Sequence, residues 1–400
     1  MSTLKVDGIR HNNATSDAIT MASDGTCTAR ITGMTGGGGL SHRNLIINGA
    51  MNVAQRASSS TANGYGDLDR WKHEYVGTNE NPTFAQASLT TSDTPYTLGL
   101  TKTYRLTNGN QTSGLQASSQ INFNQQIEAQ DIRNSGWDYK NPNSYITLSF
   151  WVRSSVSQNF NGFVKTADGS MYIYPYETGT LSANTWTKIT KSIPGNSNLQ
   201  IDDDNGSGFQ VFPIAIYGTN MTDNSVTYNQ WAGWSSGGRS KDQANSWFTT
   251  NDATLEITGV QLEAGDTATS FEHRSFGDEL LRCQRYYHCV YRRGASSDGN
   301  ISIGALGSLY TGNMVFIDMT LPTQMRTTPT LETPSATNRF NCCPTTCIDF
   351  GNPSLIHGQK NAVTLNATLQ SGNTAGRVGN VFAKTANWTE GEKLAFTAEL

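Results

Sequence analysis

Apolar and polar residues alternate along most of this chain with the period of two expected of half-buried strands. The clearest run is Tyr145 to Arg153, where Ile146, Leu148, Phe150 and Val152 alternate with Tyr145, Thr147, Ser149, Trp151 and Arg153. Runs at Thr185–Ile193, Phe209–Tyr217 and Thr254–Leu262 are also strand-like, separated by Gly, Asn, Pro and Ser clusters. Pro213 inside the third run predicts an edge strand or a bulge, because proline cannot donate to a sheet ladder. Near Ser275 the pattern changes. Ser275-Phe276-Gly277-Asp278 has the form of a helix cap, and Asp278–Tyr287 predicts a short helix with Leu280, Leu281, Gln284 and Tyr287 on one side. Strand patterns resume at Ile301–Tyr310, Asn313–Leu321, Ala362–Leu369, Val378–Thr385 and Glu392–Leu400, with Pro322 and Pro329 flanking a turn region.

Many short strands and little helical periodicity predict an all-β chain of sandwich or barrel type. No repeat with a fixed period of tens of residues argues for a solenoid or propeller. Three parts are expected. Residues 1–40 form an N-terminal segment with strand signals at Leu4, Val6, Ile9, Ile19 and Met21, a turn signal at Asp24-Gly25, and a hinge at Gly36 to Gly39. That segment is too small to bury a core alone and is expected to fold with neighbouring copies or a docking partner. Residues 41–275 form an antiparallel β-sandwich, and 276–400 a short helix followed by a second, sandwich-like β domain.

Composition narrows the function classes. Charged residues are 15% of the 400, below the ~25% usual in soluble domains, and the balance is rich in Asn, Ser, Thr and Gln. Aromatic residues at 10% exclude a disordered chain. A net charge of −4 with no basic stripe gives nucleic-acid binding no electrostatic support. No apolar stretch approaches the length of a membrane-spanning helix, and no hydrophobic signal core follows the N-terminal Lys5. Synthesis in a cytoplasm is therefore expected, with export by another route or release by lysis. The six cysteines, at 27, 283, 289, 342, 343 and 347, are read as free thiols.

Two stretches resemble a known family. Asn44–Ala57, "NLIINGAMNVAQRA", followed by Gly66-Asp67-Leu68-Asp69-Arg70-Trp71, looks like the opening of a domain common in bacteriophage tail-fibre and virion proteins. Thr254–Tyr287 looks like its close, and "LSFWVRSS" and "ANTWTKITKSIPG" are similar to its internal strands. The resemblance implies a jelly-roll sandwich of the carbohydrate-binding-module type with a distal β domain. It further implies a homotrimer assembled in a host cytoplasm into an external appendage of the virion. The N-terminal segment would dock to other virion proteins, and the chain would contact a host-surface glycan. Residues 1–40 resemble a virion-attachment end more loosely. "MRTTPTLETP" and "LAFTAEL" resemble the distal domain of such fibres.

Trp231-Ala232-Gly233-Trp234 in a Gly/Ser loop, with Arg239 and Trp247 near, offers aromatic faces for sugar rings and polar groups for hydroxyls; the alternative is that the tryptophans pack on the sandwich or on a neighbouring subunit. Glu272, His273 and Arg274 at the domain junction read either as an inter-subunit ion pair in a trimer or as a solvated linker. Polar loops at Asn341–Asn352 and Ser371–Arg377 are further recognition candidates. No G-x-S-x-G elbow appears. Asp67, Asp69, Asp202, Asp203, Asp204 and Glu256 could converge as a glycosidase pair, though no local motif singles out two of them. No cofactor or metal is expected: Cys283, His288 and Cys289, like Cys342, Cys343 and Cys347, lack zinc-module spacing. Asp202-Asp203-Asp204-Asn205-Gly206 lacks the spacing and distal Glu of an EF-hand, leaving a polar turn or a structural calcium site. The chain is thus expected to be a non-enzymatic tail-fibre-type protein that attaches to a host surface. The alternatives are a structural fibre or decoration protein of head, neck or tail, and a polysaccharide depolymerase.

Overall fold

The computed structural model describes residues 6–10, 19–21, 23, 27–29, 42–294, 299–334, 338–384 and 387–400. Near the N-terminus, β1 (Gly8–Ile9), β2 (Ile19–Met21) and β3 (Cys27–Ala29) form a small antiparallel sheet. Leu4, the turn signal at Asp24-Gly25 and the four-glycine hinge lie outside the described residues.

The central domain contains β4 (Ser59–Ser60), β5 (Lys72–Val76), β6 (Thr83–Ser88), β7 (Lys102–Thr107), β8 (Gln120–Glu128), β9 (Tyr145–Ser154), β10 (Gln158–Thr166), β11 (Tyr172–Leu181), β12 (Thr187–Pro194), β13 (Ser207–Tyr217), β14 (Ala232–Gly233) and β15 (Thr254–Ala264). Single-turn helices α1 (Thr94–Thr97), α2 (Ala129–Arg133) and α3 (Ser246–Thr249) sit in its loops. The strands form two antiparallel sheets of six, ordered β14-β11-β10-β13-β8-β5 and β12-β9-β15-β7-β6-β4. The chain crosses repeatedly from one sheet to the other, with β6–β7 and β10–β11 paired as hairpins within a sheet, which gives a jelly-roll sandwich. Its core draws alternate residues from both sheets: Ile146, Leu148, Phe150 and Val152 of β9 meet Phe160, Val164, Phe209 and Val211 of the facing sheet, all fully buried. Pro213 lies in an interior strand, between β10 and β8, and not at an edge. The ladder slips on both sides of it, between Val211 and Ala215 and between Asn161 and Phe163, so a bulge accommodates the missing N–H.

The motifs that open and close this domain form one structural unit. Leu45 N–H donates to Leu262 O (2.9 Å) and Val260 N–H to Gly49 O (3.0 Å), while the Asn44 side chain bonds both Val260 O and Leu262 N–H. Asn48, in the left-handed region at φ 59°, uses its side chain to tie Val53 N–H, Val53 O and Asp69 O.

Helix α4 (Phe276–Gln284) follows, capped as expected by Ser275, whose Oγ accepts from Asp278 N–H at 3.1 Å. Its buried face differs from the expected one. Glu279 and Cys283 are buried, Leu281 is 46% exposed, and Tyr287 already belongs to the next strand. The reason is polar: Glu279 accepts from Asn48 N–H and faces Arg274, so an acid holds the inward position that periodicity assigned to leucines.

The distal domain contains β16 (Tyr287–Arg292), β17 (Asn300–Thr311), β18 (Met314–Thr320), β19 (Thr330–Glu332), β20 (Phe340–Cys343), β21 (Ile348–Phe350), β22 (Ser354–Gly358), β23 (Ala362–Thr368), β24 (Val378–Lys384) and β25 (Lys393–Thr397). A three-stranded sheet, β16-β25-β19, packs on a seven-stranded one, β21-β20-β24-β17-β18-β23-β22, around Leu309, Phe340, Leu365 and Phe396. One expectation is corrected here. Cys343 and Cys347 form a disulfide, because the β20–β21 hairpin brings their Cα atoms to 3.9 Å, while Cys283, Cys289 and Cys342 remain thiols.

The two sandwiches meet through buried charge. Glu399, just beyond β25, bridges Arg56 (2.9 Å) and Arg70 of the central domain. Arg56 lies 3.6 Å from the ring centre of Tyr287, and Arg70 lies 3.4 Å from that of Tyr286. Arg285 grips Glu128 through two bonds of 2.7 Å, and Arg326 donates to Ala398 O, Glu399 O and Asn205 O.

Asp67, His73 and Tyr104 form a second buried polar cluster, within the central core. Tyr104 Oη is 3.0 Å from His73 Nδ1 and 3.1 Å from Asp67 Oδ1, while His73 Nε2 meets Ala62 O. One phenolic proton cannot serve both neighbours, so a protonated Asp67 completes the chain of bonds. Burial, only partly opposed by a hydrogen bond from the Leu68 backbone, pushes the Asp67 carboxyl up from 3.8 to about 7. The stability this acid contributes is fully present below its unfolded value and is lost as pH rises from about 4 to about 7. His73, pushed by burial from 6.5 to about 4, acts in the opposite sense as pH falls from 6.5. Asp67→Asn should therefore melt higher than the wild type at pH 8, with the difference shrinking or reversing at pH 4. Melting curves across that range test this; a difference that does not vary with pH would reject the protonated-acid reading.

Candidate glycan-binding face

The two outer faces of the central sandwich differ. Over β12-β9-β15-β7, the surface is closed: Glu256 is held by Arg105 (2.9 Å) and Arg153 (2.6 Å), and Arg153 by Asp93. Leu89, Leu100, Trp151, Trp186 and Phe271 pack over the same side.

Over β14-β11-β10-β13-β8-β5 the strands send polar and aromatic side chains away from the core in register. Several are themselves covered: Asn122, Asn124 and Asn161 are buried, Asn161 donating to Lys241 O and accepting from the Tyr228 hydroxyl. In one row Asn161 (β10), Ala215 (β13), Asn122 (β8) and Glu74 (β5) are neighbours across the ladder. The next row carries Phe163 opposite Phe212, then Asn124 opposite Lys72. A third carries Lys165, Gln210 and Gln126. Phe163 and Phe212 stack at 4.2 Å between ring centres, with Phe212 half-buried at the surface. Gln126 Nε2 reaches Leu400 O at 3.3 Å, so the distal domain borders one end of the face.

Two of the four residues expected to bind glycan meet here. The Trp234 indole is half-exposed, 6.2 Å from Phe163, with Lys165 Nζ at 4.3 Å and the Arg239 guanidinium carbon at 5.3 Å from its ring centre. Arg239 also lies 5.0 Å from the ring of Tyr217. Burial, reinforced by the charge of Arg239, holds the Lys165 ammonium below its ordinary value, and burial pushes Tyr217 up to about 12. The other two are corrected. Trp231 turns the opposite way, since residues three apart in an extended segment point to opposite sides. It caps the core edge against Tyr174 and Phe209 and donates to Pro194 O. Trp247, on α3, is wholly buried and donates to Thr254 O. The amides of β8 and β13 escaped notice, although Asn122, Asn124 and Gln126 alternate with Ile121, Phe123 and Ile127 in a visible period of two.

Glu272 and Arg274 are also corrected: neither is free for a neighbouring subunit. Glu272 accepts from Asn44 and His42 N–H and pairs with Arg274, which bonds Ile46 O and Asn44 O. Burial would raise the Glu272 carboxyl, but the Asn44 amide and Arg274 outweigh it and hold it below its ordinary value. His273 is exposed and meets Leu98 O through Nε2.

The carboxylates considered for hydrolysis serve separate structural tasks. Asp67 and Asp69 are buried, Glu256 is ion-paired on the closed face, and Asp202–Asp204 form a turn. In that turn Asp204 Oδ1 accepts from Gly206 N–H (2.8 Å), Asp168 Oδ2 accepts from Asp202 N–H (2.9 Å), and Asn205 bonds Arg326. Among the described residues, no three His, Cys, Asp or Glu are grouped to hold a metal.

The sequence matches no family model and no curated protein. Solved structures similar to it include the enzymatically active domain of tailspike protein 4 from bacteriophage CBA120, at 11% identity and a TM-score of 0.30 over 56% of this chain and 21% of that one. Another is the family 11 carbohydrate-binding module of Clostridium thermocellum in complex with a β-1,3-1,4-mixed-linked tetrasaccharide, at 10% identity and a TM-score of 0.24 over 54% of this chain and 98% of that one. The reading of the open face accordingly rests on its own residues.

Proposed function

We propose that the chain is a glycan-binding subunit of a bacteriophage appendage, with the open face of the central sandwich as its sugar site. The observation that carries the glycan reading is the combination on that face of the half-exposed Trp234 indole, the half-buried Phe212 ring stacked on Phe163, and the part-exposed amides of Gln126 and Gln210. Aromatic faces take the apolar side of a sugar ring, and amides pair with its hydroxyls. On the opposite face Trp151 and Trp186 are also part-exposed, but Trp186 is held by Asp93 and Arg153, and Glu256 is taken up in ion pairs. The phage setting, the homotrimer and N-terminal docking to other virion proteins are part of this reading, and they rest on the four ordered motifs between Asn44 and Tyr287. The site holds polysaccharide without cutting it.

Trp234→Ala should lower affinity for a bound polysaccharide at least tenfold and leave the melting temperature within about 2 °C, because the ring is half-exposed and outside the main core. Affinity electrophoresis beside thermal melting checks both. A parallel loss of fold would assign Trp234 to packing alone. Release of reducing ends by the wild type would instead favour a depolymerase. Labelling at a phage head or neck, with no polysaccharide binding, would favour a structural decoration protein.

A further inference from the structure

The open face is not electrically neutral at Trp234. Lys165 and Arg239 flank the same indole, at 4.3 and 5.3 Å. Among the described residues neither cation has a carboxylate within ion-pair distance. The acid nearest in the ladder pattern, Glu74, is already joined to Lys72 at 2.8 Å. Beneath them the Tyr217 side chain is buried against the Arg239 guanidinium. Two cations held together with no carboxylate in direct contact repel one another, and the more distant Glu74 only partly offsets this at Lys165. A ligand supplying an anionic oxygen between the two cations would relieve that repulsion.

We infer that Lys165, Arg239 and Trp234 form a subsite for an acidic sugar, whose carboxylate meets the two cations that lie over the indole. This rests on the glycan reading of the face and names the class of sugar. The guanidinium suits a carboxylate through paired N–H donors, and the ammonium adds a point charge. A sulfate ester presents the same anionic oxygens, and the experiment separates the two sources.

The full chain would be titrated with polygalacturonate and with its carboxyl-reduced form, and with dextran sulfate beside dextran, following tryptophan fluorescence. Tighter binding of polygalacturonate than of its reduced form, by tenfold or more and weakening with added salt, is the expected result. Lys165→Met and Arg239→Met, folded by their melting curves, should each remove most of that difference. Preference for dextran sulfate with the same dependence on both residues would support the anionic subsite with sulfate as its source. Equal binding of the acidic and reduced polymers, abolished in Trp234→Ala, would overturn the charge inference and leave the glycan reading intact. Failure of the folded protein to bind any of the four polymers would overturn both.

Discussion

Glu399→Ala is expected to destabilise the protein by about 3–5 kcal/mol, the cost of breaking a buried ion pair by removing one partner. Glu399 is the carboxylate that faces both Arg56 and Arg70, whose side chains are 4% and 1% exposed. Burial would lower both guanidinium values, yet the surrounding acidic groups together, Glu399 foremost, outweigh it and each is raised. After the substitution Arg56 keeps the more distant Asp69, at 3.7 Å, and the Tyr287 ring, and Arg70 keeps the Gln126 carbonyl and the Tyr286 ring. Glu399→Gln, which retains two polar atoms in the same space, should cost less than the alanine. Denaturant titration of the three proteins decides this, and a loss below about 1 kcal/mol in the alanine variant would show that water readily replaces the carboxylate.

Gly49→Val should fail to give folded protein. A Cβ at position 49 would stand 2.1 Å from Val260 O, and the obstacle is backbone in an interior-facing strand, so no rotamer change relieves it. The contact is also a working one, because Val260 N–H donates to Gly49 O and aligns the opening segment along β15. Forcing the two apart would break the neighbouring bonds of Asn44 and Leu45, an effect of about 4 kcal/mol or more. Gly351→Ala is the control, since a Cβ there meets nothing within 4 Å. Soluble yield and thermal melting separate the two; a folded Gly49→Val with near wild-type melting would show that β15 can yield.

The strands of the sandwich were readable because alternation is a local property. Tyr145–Arg153 shows its buried side in nine consecutive letters, and Ser275 announces its helix within four. What lay beyond reach was whatever depends on a partner hundreds of residues away. Glu272 and Arg274 look like surface charges until Asn44 and Ile46 fold onto them. Trp247 looks like a loop aromatic until α3 turns it under β15. Alternation also tells which residues share a face without telling which face stays open. Arg153 and Gln126 both point away from the core, yet one is tied into the ion pairs of the covered face and the other is part-exposed in the candidate site. The Cys343–Cys347 bond belongs to the same class, since it depends on where the β20–β21 hairpin turns.

The junction built on Glu399, Arg285 and Arg326 has a mechanical meaning. A tether between two domains would let the distal sandwich swing, and a pull on one end would be spent in reorienting it. Here the ion pairs, the stacked tyrosines and the backbone bonds of Arg326 cross the boundary at several points. Torque applied to the distal sheet is therefore delivered to β5 and β8, the strands that carry one side of the open face.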